Sequence, residues 1–87
     1  MLLLTNKNFD KAYSKLPETV KVKFKQRRSI FLTDEFNVIL NNHSLSGQYA
    51  RFRSINITGD FRAIYYRLEQ DTVIFVDIGT HNQLYGK

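Results

Sequence analysis

The chain has 87 residues, 43% hydrophobic and 14% aromatic, a globular composition with room for a single domain over 1–87 and none for a second. Thirteen Lys and Arg against eight Asp and Glu leave a net charge of +5, which favours a polyanionic partner such as nucleic acid or an acidic protein, although many small domains are mildly basic for no specific reason. No cysteine is present, which excludes disulfides and thiolate metal sites, and the apolar start Met1–Thr5 is too short for a signal peptide or membrane span, so the cytoplasm is the expected compartment.

Leu2–Thr5 reads as a short edge strand, and Asn6 or Asn8 offers an N-cap for the segment that follows. From Asn8 to Leu16, Phe9, Ala12, Tyr13 and Leu16 recur at helical spacing. Pro17 ends that helix and suits the start of the next, where its missing N–H costs nothing and Glu18 complements the dipole. The second helix is expected over Pro17–Leu32, with Val20, Phe24 and Phe31 on its apolar stripe. Its basic residues, Lys21, Lys23, Lys25, Arg27 and Arg28, read with Lys15 as a solvated face that steers anions. Thr33–Asn37 forms a cap and turn, Val38–Leu40 adds a helical turn, and Asn41–Gly47 is a loop by composition.

Beyond Gln48 the apolar period changes from helical to two. Strands are expected over Tyr49–Ile57, Phe61–Leu68 and Thr72–Ile78, joined by hairpin loops at Thr58–Asp60 and Glu69–Asp71. On strict alternation, Ile55, Ile57, Ile64, Leu68, Ile74, Val76 and Ile78 form the core side of the sheet, and the other side mixes aromatics with Asn56, Arg67 and Asp77. The predicted fold is α+β: an N-terminal strand, a two-helix hairpin, then a three-stranded antiparallel meander.

No nucleotide-binding glycine loop, metal-ligand spacing or nucleophile elbow is present. RNA cleavage asks for less, because the ribose 2′-OH can attack its own neighbouring phosphate; the protein must align the atoms, move two protons and neutralise the phosphorane. His81 and Arg62 are the natural pair, the first just beyond the last strand and the second just inside the turn Gly59–Asp60, while Tyr85 can stack on a base. Each has a plain alternative: Arg62 pairing with Asp60 or Asp77, Tyr85 plugging the core, His81 capping a turn, and His43 being an ordinary loop histidine.

Four segments together resemble the RelE/ParE superfamily of bacterial toxins, in the branch around YafQ: His43-Ser44-Leu45-Ser46-Gly47, Arg53–Ile57, Gly59-Asp60-Phe61-Arg62-Ala63-Ile64-Tyr65, and Ile78-Gly79-Thr80-His81-Asn82-Gln83-Leu84-Tyr85. In order and spacing they follow the family pattern H-x-L-x-G, D-x-R-x-I-Y and G-T-H-x-x-L-Y/F. The resemblance implies a RelE-like microbial ribonuclease-type fold. It further implies a ribosome-dependent endoribonuclease that cuts mRNA to a 2′,3′-cyclic phosphate, uses neither metal nor cofactor, and is silenced by a cognate antitoxin in a toxin–antitoxin hetero-oligomer. By motif, His81 is the general acid or base, Arg62 stabilises the phosphorane, His43 and Asp60 assist, and Tyr85, Phe61, Arg51 and Arg53 contact RNA.

The chain departs from that pattern at Asn56, where relatives near YafQ carry a histidine, and at Asp77, near a basic position. An amide cannot take a proton and a carboxylate repels phosphate, so His43 or Arg53 must compensate or activity is weakened. Two other functions compete: a ParE-like gyrase inhibitor, against which the Gly-Thr-His ending counts, and a decayed toxin kept as an antitoxin partner.

Overall fold

The structure, a computed structural model, describes residues 1–47 and 50–86. Strand β1 (Leu2–Thr5) leads through the Asn6 N-cap, whose Oδ1 accepts from the Phe9 N–H at 2.8 Å, into helix α1 (Lys7–Ser14). Pro17 caps helix α2 (Glu18–Thr33), and its carbonyl accepts from Val20 and Lys21. A 3₁₀ turn at Val38–Leu40 closes on Asn41, which sits in the left-handed region at φ 47°, a conformation asparagine tolerates. The remaining elements are β2 (His43–Ser44), β3 (Arg53–Asn56), β4 (Phe61–Glu69), β5 (Thr72–Thr80) and helix α3 (His81–Tyr85).

The strands form one sheet in the order β1-β5-β4-β3-β2, with β1 parallel to β5 and every other pair antiparallel. The predicted meander is therefore the centre of a five-stranded sheet. Two elements were not anticipated. The loop expected over Asn41–Gly47 contributes β2, and the chain after Gly79 turns at once into α3. The strand expected over Tyr49–Ile57 is shorter, running over Arg53–Asn56 as β3; its proposed beginning at Tyr49 lies outside the described residues.

Aromatic rings weld the helices to the sheet. Phe9 of α1 and Phe24 and Phe31 of α2 pack edge-on against Phe75, with centroids 5.4 to 6.0 Å apart, and Phe31 and Phe75 both contact the ring of Tyr65. Val20, Phe24 and Phe31 are the buried residues of α2, the stripe its spacing predicted.

Strict alternation misassigned the core side of β4 and β5. The residues facing the helices are Ile55, Ile57, Ala63, Tyr65, Val73, Phe75 and Ile78, while Leu68 is 50% exposed. In β4 the opposite phase of an unbroken alternation faces the helices; in β5 the cause is a bulge, since Ile64 pairs with Asp77 but Tyr65 pairs with Phe75, leaving Val76 unmatched. One extra residue in β5 shifts its alternation, so Phe75 and Ile78, three apart, point the same way. Ile64 and Leu84 are also buried but lie outside the helix-side cluster.

Candidate functional site

On the sheet face away from α1 and α2, residues from four elements line one open depression of about 340 Å³: Asn41, His43, Leu45, Ser54, Arg62, His81 and Tyr85. Four residues singled out in the sequence thus converge. His43 on β2 is the cross-strand partner of Ser54 on β3, Ser54 is the partner of Ile64 on β4, and Arg62 lies two residues before Ile64, on the same face.

The His43 Nδ1 lies 2.8 Å from the Asn41 carbonyl. A carbonyl can only accept, so Nδ1 carries the proton and the neutral ring keeps its lone pair on Nε2. Asn41 can aim its carbonyl this way because its left-handed backbone ends the 3₁₀ turn.

His81 is fixed by backbone. Its N–H donates to the Asp60 carbonyl at 3.2 Å, tying the start of α3 to the β3–β4 turn. Thr80 caps α3 reciprocally: its Oγ1 accepts from the Gln83 N–H at 3.1 Å, and Gln83 Oε1 accepts from the Thr80 N–H at 2.8 Å. Gly79 is required by this cap, because a Cβ there would meet Gln83 Oε1 at 2.8 Å. One turn of helix then brings the His81 and Tyr85 rings together, with centroids 4.6 Å apart and planes tilted by 60°.

Arg62 folds back over the turn that precedes it, Nη1 donating to the carbonyls of Thr58, Gly59 and Phe61 at 3.1 to 3.2 Å. These bonds use one nitrogen and hold the guanidinium plane in place. No carboxylate is among the described residues lining the depression, so its local charge is that of Arg62.

Ser54 was not singled out in the sequence. Its side chain is fully buried at the depression, and its Oγ has no hydrogen-bond partner among the described residues. The Oδ1 of Asn56, two residues on and opposite Arg62, is likewise buried and unpartnered. Buried hydroxyls and amides are ordinarily bonded, because an unmet one costs about 1–3 kcal/mol. Both lie on β3, and Ser54 borders the open depression.

The other predicted residues are placed elsewhere. Asp60 is exposed and does not line the depression; its backbone carbonyl accepts from the His81 N–H. Arg51 is exposed in the turn before β3. Arg53 pairs with Tyr65, facing the helix side; its Nε donates to Asn42 Oδ1 at 2.8 Å and its guanidinium lies 5.2 Å over the Phe36 ring. Phe61 packs against the helix-side core. Arg53 and Phe61, both expected to contact RNA, lie apart from the depression for the same reason: each sits one residue out of phase with the face that carries Ser54 and Arg62.

A polar network behind β2 was also illegible in the sequence. The buried Tyr65 hydroxyl donates to Glu35 Oε2 at 2.6 Å and accepts from Asn42 Nδ2 at 2.8 Å, and Glu35 forms an ion pair with Arg67. Burial, reinforced by the Glu35 carboxylate, pushes the Tyr65 pKa well up. Asn42 precedes His43, so this network braces the strand that carries the imidazole.

A family model described as the bacterial toxin YafQ of type II toxin-antitoxin systems matches residues 3–86. Among solved structures, YafQ from E. coli strain BL21(DE3) is similar over 97% of both chains at a TM-score of 0.82 and 18% identity. The toxin of the E. coli DinJ-YafQ toxin-antitoxin complex matches over 97% of this chain and 96% of its own at 0.78 and 19%. The RelB-RelE antitoxin-toxin complex from Methanococcus jannaschii contains a chain similar over 95% of both at 0.75 and 20%. Comparison with curated proteins finds no match. No helix among the described residues is long and apolar enough to cross a membrane.

Proposed function

Because the chain belongs to the YafQ family of type II toxin–antitoxin toxins, we propose that it is an endoribonuclease that cleaves mRNA on the ribosome and so arrests translation. The observation that carries this reading is the convergence of His43, Arg62, His81 and Tyr85 on one depression, floored by the unpartnered Ser54 hydroxyl.

The chemistry follows from the groups. His43 Nε2 accepts the proton of the ribose 2′-OH, and the 2′-oxygen attacks the adjacent phosphorus. Arg62 and the Ser54 hydroxyl neutralise the charge gathering on the phosphorane oxygens. His81, protonated, gives its proton to the 5′-oxygen as the P–O5′ bond breaks, leaving a 2′,3′-cyclic phosphate and a 5′-hydroxyl. The nucleophile comes from the substrate, so the protein supplies alignment and proton transfer without a metal or cofactor. Tyr85 offers a ring to a neighbouring base, Arg51 offers charge to the backbone, and Asp60 acts by holding His81.

The partner is a cognate antitoxin in a hetero-oligomer, a reading supported by the DinJ-YafQ and RelB-RelE pairings of its structural relatives. The site of action is the cytoplasm, where translating ribosomes are found.

Sequencing mRNA 5′ ends after brief induction tests the function. New 5′-hydroxyl ends at codon-spaced positions are expected with the wild type and not with His81→Ala. Intact mRNA with linearised plasmid would instead revive the gyrase-inhibitor reading. Loss of all inhibition with antitoxin binding retained would identify a decayed toxin.

A further inference from the structure

Next to the depression of His43 and Arg62, the same sheet face carries a second one of about 400 Å³, lined by Asn6, Asn8, Phe52, Ile64, Tyr66, Val76, Asp77 and Leu84. The two occupy neighbouring strand positions: Phe52 of the second lies two residues, about 7 Å of strand rise, before Ser54 of the first, and Ile64 of the second is Ser54's cross-strand partner. Helix α3 stands between them, Tyr85 lining one and Leu84 the other.

The second depression has the make-up of a base-binding groove. Phe52 and Tyr66 are part-exposed and stack nearly parallel, centroids 5.4 Å apart at 15°, forming an aromatic wall over the floor of Ile64. At the far side stands Asp77, the cross-strand partner of Ile64, where the bulge at Val76 turns β5. One carboxylate oxygen, Oδ1, accepts from the Ile78 N–H at 2.9 Å, which fixes the group's orientation. The carboxylate makes no ion pair among the described residues and presents only acceptors to the groove. A carboxylate so placed is wrong for a phosphate and right for a donor edge.

We infer that the groove of Phe52, Tyr66 and Asp77 is a nucleobase subsite for the nucleotide beside the scissile phosphate, and that it selects guanine. The aromatic wall takes the π-face of any unpaired base. Discrimination comes from Asp77: guanine turns two parallel donors, N1–H and N2–H₂, toward a carboxylate, adenine and cytosine turn one amino group, and uracil places two carbonyl oxygens around a single N–H. The inference rests on the nuclease reading for the identity of the ligand as mRNA, but the groove's preference for a base is measurable without cleavage.

The test uses the ¹⁵N-labelled full-length protein and four 2′-O-methylated trinucleotides, which cannot form the cyclic product, carrying G, A, C or U at the varied position. Chemical-shift changes at Phe52, Tyr66 and Asp77 are followed through the titration. The expected result is tightest binding of the guanine ligand, with Asp77→Asn lowering its affinity about tenfold relative to the adenine ligand and Tyr66→Ala weakening all four by a similar factor. Retained melting temperature shows that both variants fold. Equal affinity for the four ligands, no response at Phe52 and Tyr66 to any of them, or a response there only to the antitoxin overturns the inference. If the groove binds guanine while 5′-end mapping finds no cleavage, the nuclease reading fails and the subsite stands.

Discussion

Ser54 and His43 show how single residues divide stability from activity. A buried hydroxyl without a partner is a liability to the folded state, so Ser54→Ala is expected to stabilise the protein by about 1 kcal/mol in urea denaturation while slowing mRNA cleavage. A serine that merely filled space would give the same gain in stability with cleavage unchanged. His43→Gln keeps a hydrogen bond to Asn41 available but removes the ring nitrogen proposed to accept the 2′-OH proton, so single-turnover cleavage should fall about 10²–10⁴-fold with little change in melting temperature, since the ring is exposed. At this scale the sequence was informative about His43, Arg62, His81 and Tyr85, because imidazole, guanidinium and phenol advertise their chemistry. It was silent about Ser54, whose importance lies in a missing partner.

The elements explain why Gly79-Thr80-His81 is a unit. Gly79 clears space for Gln83, Thr80 and Gln83 cap α3, and the cap places His81 one helical turn below Tyr85. Thr80→Ala should cost about 1 kcal/mol locally and Gly79→Ala should open the same cap by pushing Gln83 away, both seen as faster amide exchange over residues 81–85 together with lost cleavage. Global denaturation should move less, because α3 has five residues and buries only Leu84. The same scale holds the readings that failed. A two-residue strand such as β2 has no period to detect, and α3 is shorter than the window that helical periodicity requires. The bulge at Val76 hid the core side of β5, since alternation read from sequence presumes an unbroken ladder.

For the molecule as a whole, the Tyr65–Glu35–Asn42 network links the aromatic core to the site, and it titrates. The folded state holds Tyr65 neutral past the pH near 10.0 at which an unfolded tyrosine ionises, so the unfolded chain releases this proton first and stability falls as pH rises above about 10. Below that pH the contribution is whole. Tyr65→Phe should remove this alkaline loss, and it should cost about 1–2 kcal/mol near neutrality for the two hydrogen bonds it deletes, as checked by denaturation at pH 8 and pH 11. By itself the amino-acid sequence determined the order of the longer strands and helices, the helix stripes and the identities of the imidazoles, guanidinium and phenol that meet at the depression, because each is written in local spacing or in side-chain chemistry. Tertiary structure alone decided that Arg53 and Phe61 turn away from that face, that Ser54 lies unpartnered beneath it, and that Asp77 stands in an aromatic groove rather than against phosphate. Those outcomes depend on which strand pairs with which and on a single unmatched residue in β5, and pairing between distant segments leaves no local periodicity to read.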